Sequence, residues 1–148
     1  MYAWKVHADL GLALCRFDGQ LTASVGRRAF IDHVENSSFD PSHRLLWDIR
    51  AAEVIADFSS IFGAVQTLAA VFQRLPQDCQ AVFLVETGMQ YGMARMLEQI
   101  LDFASPIRAR VVTSPAEAAR ALNLSEPVMA ALLDQAAGTA GREGPLQG

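Results

Sequence analysis

Two short runs, Arg44-Leu-Leu-Trp-Asp-Ile49 and Gln80-Ala-Val-Phe-Leu-Val85, are almost wholly apolar, and each is followed by a segment of helical period. That pairing constrains the fold more than any other feature of the chain. A strand without polar alternation is one covered on both faces, and such strands belong to parallel sheets joined by helical crossovers. Ile107–Val112 reads as a third strand, with Arg108 and Arg110 on one face as expected of a partly exposed edge. At the start, Tyr2, Trp4 and Val6 alternate with Ala3, Lys5 and His7, the period of a half-buried strand. Ala8-Asp-Leu-Gly11 is a turn, Leu12–Phe17 returns as the second arm of a hairpin, and Asp18-Gly19 is expected to end it.

The helical segments carry their own start and stop signals. Thr22 caps a helix from Ala23 whose inner face holds Val25, Ala29, Phe30, His33 and Val34. After a turn-rich loop, Asn36–Ser42, and the first apolar run, the periodic positions Phe58, Ile61, Phe62, Val65, Leu68, Phe72 and Leu75 predict one helix up to Pro76. Met89–Phe103 is helical, with Met93, Met96, Leu97, Ile100 and Leu101 inward. Ser114-Pro-Ala-Glu117 opens another helix, with serine at the cap, proline first and glutamate third, and Asn123 marks its end. Ser125 caps a final amphipathic helix through Val128, Met129, Leu132 and Leu133. The order predicts an α/β fold: a mixed, mostly parallel five-stranded sheet flanked by helices, with an N-terminal β-hairpin and an extra C-terminal helix. Residues 1–124 are expected to form the domain, 125–137 the additional helix, and 138–148 a glycine-rich disordered tail.

Composition narrows the function. The chain has 148 residues, 51% hydrophobic and 19% charged, with a net charge of −4. That is enough to bury a core without disulfides or metal, and too acidic for nucleic-acid binding, for which Arg27-Arg28 and Arg108/Arg110 are too sparse. Cys15 and Cys79 read as two buried reduced thiols. His7, His33 and His43 show no ligand spacing, so no metal or cofactor is expected. No run approaches the ~20 apolar residues of a membrane span. His7 and Asp9 interrupt any signal-peptide pattern, so the expected location is cytoplasmic.

Three stretches together resemble one family. "GLALCRFDGQLT", "LLWDIRAAE", and "YGMARMLEQ" followed by "IRARVVTSPAEAARAL" are similar to the strand and helix segments of STAS domains, the SpoIIAA-like group typified by bacterial anti-sigma factor antagonists. The likeness spans residues 2–124 and is nearest to a STAS branch of bacterial proteins without assigned biochemistry. It implies a SpoIIAA-like fold and a non-enzymatic regulatory or protein-interaction module. It also implies a serine, phosphorylated by a partner kinase, at the turn that opens the second helix. Here that segment is Ala56-Asp57-Phe58-Ser59-Ser60, so the possible phosphoacceptors are Ser59 and Ser60, although Phe58 and Ile61 depart from the family's Asp-Ser-Ser-Gly-like turn. Read from the residues alone, Asp57 is an N-cap and the serines are ordinary first-turn residues. A phosphate there would still sit at the favourable end of the helix dipole.

Two other sites are open. Asp48, Arg50 and Glu53 after one strand, and Glu86 and Thr87 with Tyr91 and Arg95 after the next, form a candidate polar ligand or partner site where α/β folds place ligands. Alternatively, Arg95 simply pairs with Glu98. Phe58, Phe62, Phe72, Phe83 and Phe103 either line a cavity for a lipid-like or other apolar small molecule, as relatives of this fold do, or are plain core. A hydrolase or transferase using Asp48 and Glu86 is the remaining class, with no nucleophile or phosphate loop beside them. The leading expectation is an interaction module with a protein partner, self-associating as a homodimer because the extra helix needs a surface to cover.

Overall fold

The computed structural model describes residues 1–138 and 146–147. Strand β1 (Tyr2–His7) turns through a short 3-10 segment, Ala8–Leu10, into β2 (Leu12–Thr22). Gly11 closes that turn with φ of 60°, a left-handed conformation that costs glycine nothing. The chain continues as α1 (Ala23–Glu35), β3 (Arg44–Ile55), α2 (Phe58–Thr67), the single turn α3 (Ala69–Phe72), β4 (Cys79–Leu84), α4 (Met89–Ala104) and β5 (Ile107–Val112). Helices α5 (Pro115–Ala121) and α6 (Glu126–Gly138) follow, and β6 (Leu146–Gln147) adds two residues at the far edge. The sheet order is β5-β4-β3-β2-β1-β6. The β1/β2 pair is antiparallel and every other pair is parallel, so the predicted mixed α/β sheet with its hairpin is present.

Sequential order has a consequence for layering. Each crossover from β2 to β5 steps one strand in the same direction, so right-handed connections put α1, α2 and α4 on one face. Alternate strand residues divide accordingly. Ala13, Cys15, Phe17, Leu45, Trp47, Ala81 and Phe83 pack beneath those helices, while Leu12, Leu14, Leu46, Val82 and Leu84 face α5 and α6. The C-terminal helix therefore belongs to the fold: Met129, Leu132, Leu133 and Ala136 are buried on the second sheet face. It packs on its own domain, which removes the reason to expect a second copy beneath it.

Three expectations need correction. Asp18-Gly19 does not end β2: Gly19 takes φ of 66°, and the strand runs on to Thr22. The register against β3 slips by one residue between Arg16 and Asp18, a bulge that bends the pair, and pairing resumes as Asp18↔Ala51 through Thr22↔Ile55. Consequently β3 extends past Ile49 to Ile55, so Arg50 and Glu53 lie in a strand rather than in a loop. The helix from Phe58 breaks at Leu68, where Thr67 Oγ1 donates to Ala64 O at 2.7 Å; such back-bonding bends helices. Of the expected tail 138–148, Gly138 closes α6 and Leu146–Gln147 pair with Trp4 and Lys5, and the rest lies outside the described residues.

The caps are as predicted. Thr22 Oγ1 accepts from Val25 N, Ser125 Oγ from Val128 N, and Ser114 Oγ from Glu117 N. Asn123, at φ of 56°, follows α5 in a Schellman arrangement in which Leu124 N donates to Ala119 O. Cys15 and Cys79 are buried free thiols, both pushed up in pKa by burial.

Candidate binding cavity

Between the first sheet face and helices α1, α2 and α4 lies a partly open cavity of about 120 Å³. Its walls are aliphatic and aromatic: Trp47 and Phe83 from the sheet, Phe30 from α1, Val65 from α2, Phe72 from α3, Met93 from α4. The sequence explains why the space is left. Ala23 and Gly26 on α1 and Ala64 on α2 all line it, and side chains this small cannot fill the seam between two helices. A Cβ added at Gly26 would meet nothing nearer than Leu21 Cδ1 and Trp47 Cζ3, both at 3.9 Å. Beyond the end of β4, the bulged β2/β3 ribbon supplies the rest of the wall through Leu21, Ile49 and Val54.

Of the five phenylalanines proposed as cavity residues, Phe72 and Phe83 line it. Phe62 is half-buried beside it, stacked on Phe58 with centroids 5.6 Å apart, and Phe58 and Phe103 are exposed at 55% and 85%. Helical period alone does not distinguish these fates, because the cavity lies where three helices meet the sheet.

The candidate polar site divides. Asp48, 1% exposed, is held bidentate by Arg50, with Nε to Oδ1 and Nη2 to Oδ2 both at 2.9 Å. That contact, more than the nearby Glu86 charge, raises the Arg50 pKa. Gln90, absent from the sequence reading, joins the two halves. Its amide donates to Arg50 O at 3.2 Å and Ala52 O at 2.7 Å, and its Oε1 accepts from Glu86 N at 2.8 Å. These are carbonyls that β4, ending at Leu84, cannot reach, so one side chain replaces a missing strand. Arg95 pairs with Glu98 at 2.9 Å, the alternative reading. Glu53, Thr87 and Tyr91 are exposed and make no hydrogen bond or ion pair to this cluster. The acids Asp48 and Glu86 thus form no open carboxylate pair: one is sealed by an arginine, the other faces water.

At the start of α2, Asp57 Oδ1 accepts from Ser60 N at 2.8 Å and Ser60 Oγ accepts from Asp57 N at 3.1 Å, a reciprocal capping box. The Ser60 N–H holds the exposed Asp57 carboxyl below its usual range. Ser60 is therefore committed to the cap, while Ser59 is exposed and its hydroxyl makes no hydrogen bond among the described residues. No described helix is long and apolar enough to cross a membrane.

The geometry defines a class: an α/β domain with an apolar cavity under three helices. Compared with protein-family models the chain matches none, and no curated protein matches it significantly.

Proposed function

We propose that this chain is a non-catalytic binder or carrier of an apolar small molecule, held between the sheet and helices α1, α2 and α4. The observation that carries the reading is the cavity itself. It is of the order of the ~150 Å³ apolar cavity that takes up benzene in an engineered core, and an empty apolar void is otherwise a net cost to stability. The SpoIIAA-like resemblance is supported by the sheet, in which the parallel strands β2 to β5 are joined to an antiparallel β1, but the ligand reading does not depend on it. Native mass spectrometry of gently purified protein tests it. A retained small apolar mass, displaced by a competing hydrophobic probe, is the expected result. A bare chain that also fails to take up such probes in solution would sink it.

A second reading, the STAS-type interaction module, draws on α2. Ser59 is exposed in the first turn of the helix, beside the stacked pair Phe58 and Phe62, and Ile55 and Met89 are exposed at the ends of neighbouring elements. A phosphate-sized mass increment mapping to Ser59, present in the same spectrum, would favour this module; the increment on Ser60 would require the capping box to open first.

A further inference from the structure

We propose that the ligand is an amphiphile with one small anionic head, a carboxylate, and that Arg27 is the residue that holds it. This rests on the cavity reading above and specifies its ligand class. Four side chains with polar groups line the cavity: Thr22, Arg27, Gln90 and Trp47, whose buried indole Nε1 has no hydrogen-bond partner among the described residues but, being neutral, does not select an anion. The Thr22 hydroxyl accepts from Val25 N at the α1 cap, and the Gln90 amide is engaged on three backbone groups. Arg27 differs. Its Nε donates to Thr67 Oγ1 at 2.7 Å, bridging α1 to the end of α2, and its two terminal nitrogens make no hydrogen bond or ion pair among the described residues.

The side chain is exposed yet lines the cavity, so it stands where the apolar interior meets water. Ala23, Gly26 and Ala64 leave the seam open beside it. A guanidinium presents paired N–H donors in a plane that matches a carboxylate bidentately, and an aliphatic chain suits the aliphatic and aromatic side chains that make up most of the walls. An uncharged apolar molecule would use the walls and leave the guanidinium idle. A headgroup with several charges would find one cation in a chain of net charge −4.

Octanoate and octanol separate these cases, since they share a tail and differ in the charge of the head at neutral pH. Both are titrated into the full chain, with calorimetry and the fluorescence of the cavity-lining Trp47 as readouts. Octanoate is expected to bind about tenfold more tightly than octanol, the scale of one charge-assisted contact at a partly solvated site. Arg27→Gln should remove that preference and leave octanol affinity unchanged. Thr67→Val, which deletes the bridge but keeps the guanidinium, should retain the preference. If the two ligands bind equally and Arg27→Gln changes neither, or if Thr67→Val abolishes the preference as fully as Arg27→Gln, the anchor role is overturned while the cavity reading stands. If neither ligand binds the folded protein, both fail.

Discussion

His33 lies flat on the Trp4 indole, with centroids 4.3 Å apart and planes inclined by 18°, while Phe39 meets it edge-on at 5.2 Å. It is 1% exposed, and its Nδ1 has no hydrogen-bond partner among the described residues. Burial first, and the nearby His43 second, push its pKa from 6.5 down to about 4. An unfolded chain protonates this histidine near 6.5 and the folded one resists until about 4, so the unfolded state binds more protons across that window. Stability therefore falls as the pH drops from 6.5 to 4, by on the order of 2–3 kcal/mol. The carboxyls of Asp40, Asp57 and Glu117, held low by hydrogen bonds, add losses that begin at the acid end of this window and continue below it. Urea midpoints at intervals from pH 7 to 4, with the His33 ring followed by NMR, check the point; a ring titrating near its ordinary value would refute it. The sequence identified His33 as inward on helical period alone. It contained no local sign of Gln90, whose three partners lie on β3 and on the turn before α4, because a glutamine in a first turn looks the same whether it faces water or replaces a strand.

Helix starts were legible because a cap is a contact over three residues: Thr22, Asp57, Ser114 and Ser125 all perform the role their spacing predicts. Strand ends were not. Whether β2 stops at Phe17 or continues through Gly19 depends on β3 being present to pair with it, and on a one-residue slip that no local pattern encodes. The placement of Arg50 and Glu53 in a loop fails for the same reason, since that segment is paired strand. The role of α6 was also a matter of long-range packing. With α5 it covers the face bearing Leu12, Leu14, Leu46, Val82 and Leu84. Burying Met129, Leu132 and Leu133 contributes roughly 5–9 kcal/mol at 1.5–3 kcal/mol per side chain, comparable with the entire net stability of a domain this size. A chain ending at Leu124 should accordingly lose cooperative unfolding and bind hydrophobic dyes along an open sheet face. A soluble truncated form with an unchanged thermal transition would show that α6 is an accessory after all.

For the molecule as a whole, the cavity sets stability against uptake, and the glycines offer a way to measure the exchange. Gly26 sits inside α1 with ordinary helical φ, where alanine is better by about 1 kcal/mol because it loses less backbone entropy. The space beside it accepts a methyl without strain, its nearest neighbours standing at 3.9 Å. Gly92, inside α4, is exposed, does not line the cavity, and has nothing within 4 Å of an added Cβ. Both glycine-to-alanine changes should therefore raise the melting temperature by roughly 2–4 °C through the same propensity gain. Their effects on binding should part company. Gly26→Ala places a methyl in the seam between α1 and α2 and should weaken uptake of an apolar ligand several-fold, whereas Gly92→Ala leaves it untouched. Parallel calorimetry of the two variants, with and without octanoate, makes the comparison. If Gly26→Ala stabilises the protein as Gly92→Ala does and binds octanoate equally well, ligands do not pass or occupy that seam. If instead it gains stability and loses affinity together, the glycine is there for the space it leaves open, since backbone freedom in the middle of a helix has no other use at an unstrained φ.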